Sequence, residues 1–261
     1  MSKRKKKKKL KQKFKRTIKR FILTILLITL IIAGVKFGEY YMSFKEELVP
    51  VDEEKEYYNL SDFGFIRELS ETDYDNDGID DYTDILNGEK KEAEKNPKYV
   101  SKYYANGYPP DGEGVCTDVV WRSLKEAGYD LKSMISADIR QEEKSKKDTY
   151  GIEIIDDNID FRRVDNQETF FIRYLPSLST DIYEIGEFQP GDLVTFDYSD
   201  HIAMISDKYN KNGVPFVIQN RDETQKEKEE DRLEITDMEV TGHYRFEYSE
   251  KLQEIINKTS A

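Results

Sequence analysis

The chain has 261 residues and a net charge of −12, from 41 Lys and Arg against 53 Asp and Glu. Thirteen of the basic residues fall within positions 1–20, which leaves 28 basic residues against all 53 acids in the remainder. The acidic charge of residues 21–261 argues against binding to nucleic acid, because the phosphates would repel this part of the chain. About 215 residues follow the basic and apolar N-terminal segments, enough for one hydrophobic core.

The N-terminal region is typical of a membrane anchor. A basic head over residues 1–20 precedes the apolar run Phe21–Val35, and Lys36 and the aromatic residues up to Met42 extend that run toward the roughly 20 residues that a span needs. We therefore predict a single transmembrane signal anchor over 21–42, with the head in the cytoplasm against anionic lipid and the rest of the chain outside a bacterial plasma membrane. A cleaved signal peptide is the alternative, since the length of the apolar run also fits one.

An acidic loop follows a predicted stalk over residues 43–70. Its spacing matches the calcium loop of an EF-hand, with Gly78 at the sixth position and an aspartate where the EF-hand has its final glutamate. The predicted ligands are the carboxylates of five aspartates and one backbone carbonyl: Asp73, Asp75, Asp77, Ile79 (carbonyl), Asp81 and Asp84. We expect a structural Ca²⁺ here. The alternative is a solvated acidic loop that binds no ion tightly.

The remaining elements predict an α+β fold. The acidic loop and a short helix near 89–95 make up a segment 71–97, and a catalytic domain over 98–250 carries helices after Cys116, at 131–142 and at 167–174. Strands follow at 193–196, 201–206, 214–219 and 242–246, separated by Gly or Asn turns. Helices followed by strands indicate an antiparallel sheet covered by helices. Residues 251–261 are predicted to be a tail.

Cys116 is the sole cysteine and the candidate nucleophile. It follows a glycine-rich loop at the start of a helix, where the backbone N–H groups and the macrodipole favour a thiolate. The alternative is a buried thiol that packs as a small hydrophobe. His201 opens an apolar strand and is the candidate base, and the amide of Gln219 or, second, of Asn220 on the next strand would orient it.

Five stretches of the chain together resemble a known bacterial family. They are residues 108–122 around Cys116, 158–164, 189–194, 201–207 and 235–245. This combination resembles the family catalogued as domain of unknown function 1287, which is similar to NlpC-type, papain-like cysteine peptidases of the cell wall. The resemblance covers about Lys98 to Phe246. It implies a papain-like NlpC-type core, with Cys116 as nucleophile and His201 as base. Gln219 stands where we would expect a histidine.

These features predict a membrane-anchored cysteine hydrolase that acts outside the cytoplasm. The resemblance implies that its partner is a cell-wall peptide, the stem of peptidoglycan, and we expect cleavage at an amide or peptide bond through an acyl-enzyme. Catalysis is expected to need no cofactor. Three alternatives stay open: a calcium-stabilised wall-binding module with the same fold but no activity, a calcium-dependent adhesion protein, and an acyltransferase that uses the same Cys116 chemistry.

Overall fold

The computed structural model describes residues 29–30, 33–37, 56–145, 148–235 and 238–259. The chain divides into two compact units, Met1–Lys55 and Glu56–Ala261. In the first, only 29–30 and 33–37 are described, and they are helical. The predicted basic head and the start of the predicted stalk lie outside the described residues, as do most positions of the predicted anchor.

The prediction of a transmembrane helix in front of the α+β core is corrected by the structure. None of the helices in the described ranges combines the length with the apolar character that a bilayer crossing requires. The fold that the structure supports is an α+β domain with a five-stranded antiparallel sheet.

The second unit begins with helices. They are a 3₁₀ turn Leu60–Phe63, α1 (Asp81–Lys95), α2 (Cys116–Glu126), α3 (Leu131–Ser145), a 3₁₀ turn Asp160–Arg162, α4 (Val164–Tyr174) and, after the strands, α5 (Glu250–Thr259). Asp80 caps α1 because its side chain accepts a hydrogen bond from the Thr83 N–H. Gly128 follows α2 with φ +82°, a left-handed conformation that suits glycine after a helix end.

The strands form two sheets. The parallel pair β1 (Lys98–Tyr99) and β2 (Glu113–Gly114) lies before α2, and the larger sheet has the order β6-β5-β4-β3-β7. Its strands are β3 (Leu193–Phe196), β4 (His201–Tyr209), β5 (Pro215–Ile218), β6 (Glu229–Glu230) and β7 (Val240–Tyr244), and all neighbouring pairs are antiparallel. Strand β3, next to the central strand β4, places Phe196 opposite His201 at the start of β4.

The core lies on both faces of this sheet. Ile202 and Met204 face the larger cluster, which includes Leu124 of α2, whereas Ala203 and Ile205 face a smaller cluster on the opposite side. Successive strand residues point to opposite faces, so burial on both faces makes β4 a continuous apolar run. The helix that bears Cys116 therefore packs directly on the strand that begins with His201.

Three predicted boundaries differ from the structure. The segment 56–70, predicted to belong to a stalk, is tied to the sheet: Tyr58 and Tyr209 exchange backbone hydrogen bonds of 2.7 and 2.8 Å. The predicted tail is helix α5, whose Leu252 is fully buried. The segment 71–97 is not separate either, since a Cβ at Gly88 of α1 would lie 2.7 Å from the Ser123 Cα of α2. Such backbone contact leaves room only for glycine.

Candidate active site and acidic loop

The Cys116 thiol lies where α2 meets the start of β4. Cys116 is the first residue of α2, after Val115 as N-cap, and is half-buried. Burial raises the pKa of the Cys116 thiol to about 11, although hydrogen bonds from the backbone N–H groups of Ile202 and Thr117 act in the opposite direction. The helix start therefore favours the thiolate, as expected, but desolvation outweighs it. The resting thiol is neutral at pH 7.

His201 is buried at the first position of β4 and precedes Ile202, the residue whose N–H bonds to the Cys116 sulfur. Its Nε2 is 2.6 Å from the Gln219 Oε1. Burial lowers the pKa of the His201 imidazole below its ordinary value of 6.5, against the opposing effect of the hydrogen bond with Gln219. The ring is therefore neutral at pH 7, and a neutral imidazole is the form that accepts a proton.

Glu230 determines which nitrogen of His201 carries the proton. The Gln219 Nε2 donates to the Glu230 Oε2 at 3.3 Å, and the Gln225 Nε2 donates to the same oxygen at 3.1 Å. A carboxylate only accepts, so the Gln219 amide turns its nitrogen to Glu230 and its oxygen to the ring. The His201 Nε2 must then be the protonated nitrogen, which leaves the lone pair on Nδ1.

Asn220 and His243 do not join this group. The Asn220 Nδ2 donates to the carbonyl of Gly114 at 2.9 Å, which secures the strand before Cys116 rather than the imidazole. Of the two amides considered, the structure therefore pairs Gln219 with His201. His243 is buried, with Nδ1 2.6 Å from the Ser179 carbonyl and Nε2 2.9 Å from the Asp192 Oδ2, so both of its ring nitrogens are engaged elsewhere.

A buried ion pair fixes the start of α2. The Asp118 carboxylate accepts two hydrogen bonds of 2.8 Å from Arg162, one of 2.8 Å from the Trp121 Nε1 and one of 2.8 Å from the Val115 N–H. Asp118 is fully buried and Arg162 is 7% exposed. Asp118 is the third residue of α2, a position where an acid complements the free N–H groups of the helix. Sequence analysis did not identify this pair, whose members lie far apart in the chain.

A polar groove lies beside Tyr99 of β1. It has a volume of about 380 Å³ and lies between residues 96–99 and 222–228. Burial raises the pKa of the Tyr99 phenol, and an ionised Cys116 would act in the same direction, so this side chain of the groove wall is within electrostatic reach of the sulfur. Lys228 also lines the groove and is only 4% exposed. Within the described part of the chain, no carboxylate forms an ion pair with Lys228, and burial lowers its pKa.

The predicted metal ligands separate into two groups. Asp73, Asp75 and Asp77 bring carboxylate oxygens within 4.8 Å of one another. Asp81 is buried, and its oxygens accept hydrogen bonds from the Thr72 hydroxyl (2.5 Å), the Tyr74 N–H (2.8 Å) and the Tyr129 hydroxyl (2.7 Å). In this geometry the Asp81 carboxylate holds the loop to the helices.

Asp84, at the twelfth position of the loop, lies in the first turn of α1 and is 3% exposed. Its Oδ2 is buried and has no hydrogen-bond partner. Burial raises the pKa of the Asp84 carboxyl to about 6, and the charges of Asp77 and Asp75 act in the same direction. The Asp84 carboxylate is therefore within reach of the charges of the loop acids, and its Oδ2 lacks a donor.

Residues 86–246 match the model of one protein family, described as a domain of unknown function (DUF1287), over more than half of the chain. The chain belongs to this family. The DUF1287 match contains Cys116, His201, Gln219 and Glu230 but begins after Asp84, so the acidic loop lies outside it. The predicted family is thus confirmed, whereas these matches lend no support to the predicted similarity to NlpC-type peptidases.

A relative of this DUF1287 chain occurs in Escherichia coli (strain K12), where it is described as the uncharacterized protein YijF. The two are 31% identical over 153 residues, which are 58% of this chain and 72% of the relative. No solved structure matches the chain.

Proposed function

We propose that this DUF1287 chain is a cysteine hydrolase that cleaves amide or peptide bonds through an acyl-enzyme on Cys116. The observation that carries the proposal is the 2.6 Å contact between the His201 Nε2 and the Gln219 Oε1 at the start of β4. The N–H of the next residue, Ile202, donates a hydrogen bond to the Cys116 sulfur. Nucleophile, base and orienting amide are the three parts that thiol hydrolysis needs. The likeness to NlpC-type, papain-like peptidases belongs to the same proposal.

The proposed reaction has two halves. As the sulfur attacks the substrate carbonyl carbon, the thiol proton passes to the His201 Nδ1, and the resulting oxyanion accepts a hydrogen bond from the Cys116 N–H. The C–N bond then breaks, and the imidazolium returns its proton to the leaving amine. Water next attacks the thioester and gives a proton to Nδ1, and collapse releases a carboxylic acid and restores the thiol. Gln219 stabilises the imidazolium in both halves.

The proposed substrate is the peptide stem of peptidoglycan, which requires this domain to act outside the cytoplasm. The groove beside Tyr99 supports a charged peptide, since its wall is polar and carries the unpaired, buried Lys228. A carboxylate of the substrate would give Lys228 the partner that it lacks. Lys228→Met keeps the length of the side chain and should raise KM about tenfold, whereas Lys226→Met, at an exposed position of the same groove, should leave KM unchanged.

The test of the hydrolase is incubation of the full chain with purified wall fragments, followed by mass analysis of the products. Wild type and the exposed control Asp111→Asn should release a new amine and a new carboxylic acid of matching mass. Cys116→Ala should release neither, and His201→Ala should release both about 10²- to 10⁴-fold more slowly. Products that persist in Cys116→Ala would reject Cys116 as the nucleophile.

One observation favours a second candidate, a wall-binding module with no activity. Burial raises the pKa of the Cys116 thiol to about 11, which is the state of a structural cysteine. Such a module would bind wall peptides equally well in wild type and Cys116→Ala and would leave them intact. Retained binding with no product from wild type would therefore favour the module over the hydrolase.

A further inference from the structure

We propose that the acidic loop 73–84 binds one divalent cation, of the class of calcium, and that Asp84 closes the site. The spacing of the loop acids does not carry this proposal alone, because acidic loops are common on protein surfaces. The observation that carries it is the Asp84 carboxylate, 97% buried, with an Oδ2 that no protein group satisfies. Burial of a carboxylate oxygen without a partner costs several kcal/mol of folding free energy in general. A positively charged ligand would remove this cost.

The charges around this oxygen identify the ligand as a cation. Asp77 and Asp75 are the charged groups that act most strongly on Asp84, and both share with Asp73 a cluster of oxygens within 4.8 Å. Within the described ranges, no Lys or Arg forms an ion pair with any of these four aspartates. Three acids therefore converge in the loop and a fourth, Asp84, lies within reach of their charge, with no basic side chain among the described residues in an ion pair with any of them; a bound metal ion is the group that would balance them.

The oxygen set favours Ca²⁺ over Mg²⁺. The site offers carboxylates of Asp73, Asp75, Asp77 and Asp84 and the carbonyl of Ile79 at the seventh position of the loop. Ca²⁺ accepts six to eight oxygens in flexible geometry, whereas Mg²⁺ demands a regular octahedron and keeps several waters. Asp81 is left out of the proposed ligands because three protein donors already use its oxygens.

The position of the loop indicates what the cation would stabilise. A Cβ at Gly128, just after α2, would lie 2.8 Å from the Asp75 Cβ, and the Tyr74 ring stacks on Tyr129 with centroids 4.4 Å apart. The acids thus crowd the C-terminal end of α2, where the helix dipole is also negative. A cation there would relieve both repulsions. Cys116 lies at the other end, about 16 Å away along an 11-residue helix, so the proposed role is to brace α2 and is independent of hydrolysis.

The experiment is a calorimetric titration of the chelator-treated full chain with CaCl₂, repeated with MgCl₂. The variants are Asp75→Asn on the exposed part of the loop, Asp84→Asn at the buried position, and Asp111→Asn as a control at an exposed aspartate elsewhere. Wild type and Asp111→Asn should bind one Ca²⁺ with a Kd in the range of about 10⁻⁴ to 10⁻³ M seen for extracellular modules. Asp75→Asn and Asp84→Asn should bind at least about tenfold more weakly.

Thermal unfolding distinguishes an Asp84 that binds Ca²⁺ from an Asp84 that stabilises the fold without it. In wild type, saturating Ca²⁺ should raise Tm, and in Asp84→Asn it should not. Without Ca²⁺, Asp84→Asn should melt no lower than wild type, because it removes a buried charge that has no partner. Any of four results would overturn the proposal: no saturable binding up to about 10 mM, ten times the weakest expected Kd; equal affinity in the loop variants; equal affinity for Mg²⁺; or a lower Tm for Ca²⁺-free Asp84→Asn.

Discussion

The reactivity of Cys116 with a disulfide reagent should report a neutral thiol in the resting protein. Burial raises the pKa of Cys116 to about 11, against about 8.5 for a free cysteine, so the thiolate fraction at pH 7 is roughly 300-fold lower. A thiolate of higher pKa is intrinsically more nucleophilic, with a Brønsted coefficient of about 0.4–0.5, which recovers a factor of about 13. The net expectation is a rate roughly 20-fold below that of free cysteine at pH 7.

The assay is simple because the chain has one cysteine, so release of an aromatic thiol from the reagent reports on Cys116 alone. Between pH 6 and pH 10 the rate should rise about tenfold per pH unit, since the whole range lies below a pKa of about 11. His201→Ala should change this rate little, because the imidazole is neutral, yet should lower hydrolysis by about 10²- to 10⁴-fold. A rate that equals that of free cysteine and does not change with pH below pH 7 would refute a neutral Cys116 thiol beside a neutral His201 imidazole. It would show instead that the two form a thiolate–imidazolium pair in the resting protein.

Three further predictions concern residues around the site and the core. Asp118→Ala leaves the buried charge of Arg162 without a partner and should lower the free energy of unfolding, measured in urea, by about 3–5 kcal/mol. A loss under about 1 kcal/mol, which is typical of exposed ion pairs, would contradict a buried network. Glu230→Gln weakens the hydrogen bond that orients Gln219 by about 1 kcal/mol, so kcat should fall about fivefold at constant KM; a change in KM alone would place Glu230 in substrate binding instead. Leu252→Ala should cost about 2–5 kcal/mol in the same unfolding assay, and a negligible loss would mean that α5 is not part of the core.

Sequence periodicity predicted four of the five strands of the large sheet, because their patterns are local, and missed the two-residue strand β6. The predicted strand 193–196 coincides with β3, and the predicted strand 201–206 begins at the same residue as β4. Helix α1 was predicted to begin near 89 but begins at Asp81. Gly88 has a low helix propensity, and its place in the helix is explained by the contact with Ser123, which no local pattern reveals.

The candidate site was predictable only in part. Cys116 and His201 stand out because the chain has one cysteine and two histidines, and Gln219 stands out by its place after an apolar strand. Glu230 and the Asp118–Arg162 pair had no such signal, because they are charged residues in a chain rich in charge. The raised pKa of the Cys116 thiol was also hidden, since desolvation depends on packing from distant segments.

The order of elements along the chain has a consequence for folding kinetics. Helices α1 to α4 are complete before any strand of the five-stranded sheet begins, and Leu124 of α2 shares its core cluster with residues as distant as Ile202. During synthesis the apolar surface of α2 that packs on β4 is therefore uncovered until β4 emerges, and surface exposed in this way favours aggregation. The many long-range pairings place folding in the slow, millisecond-to-second class rather than with the fast helical bundles.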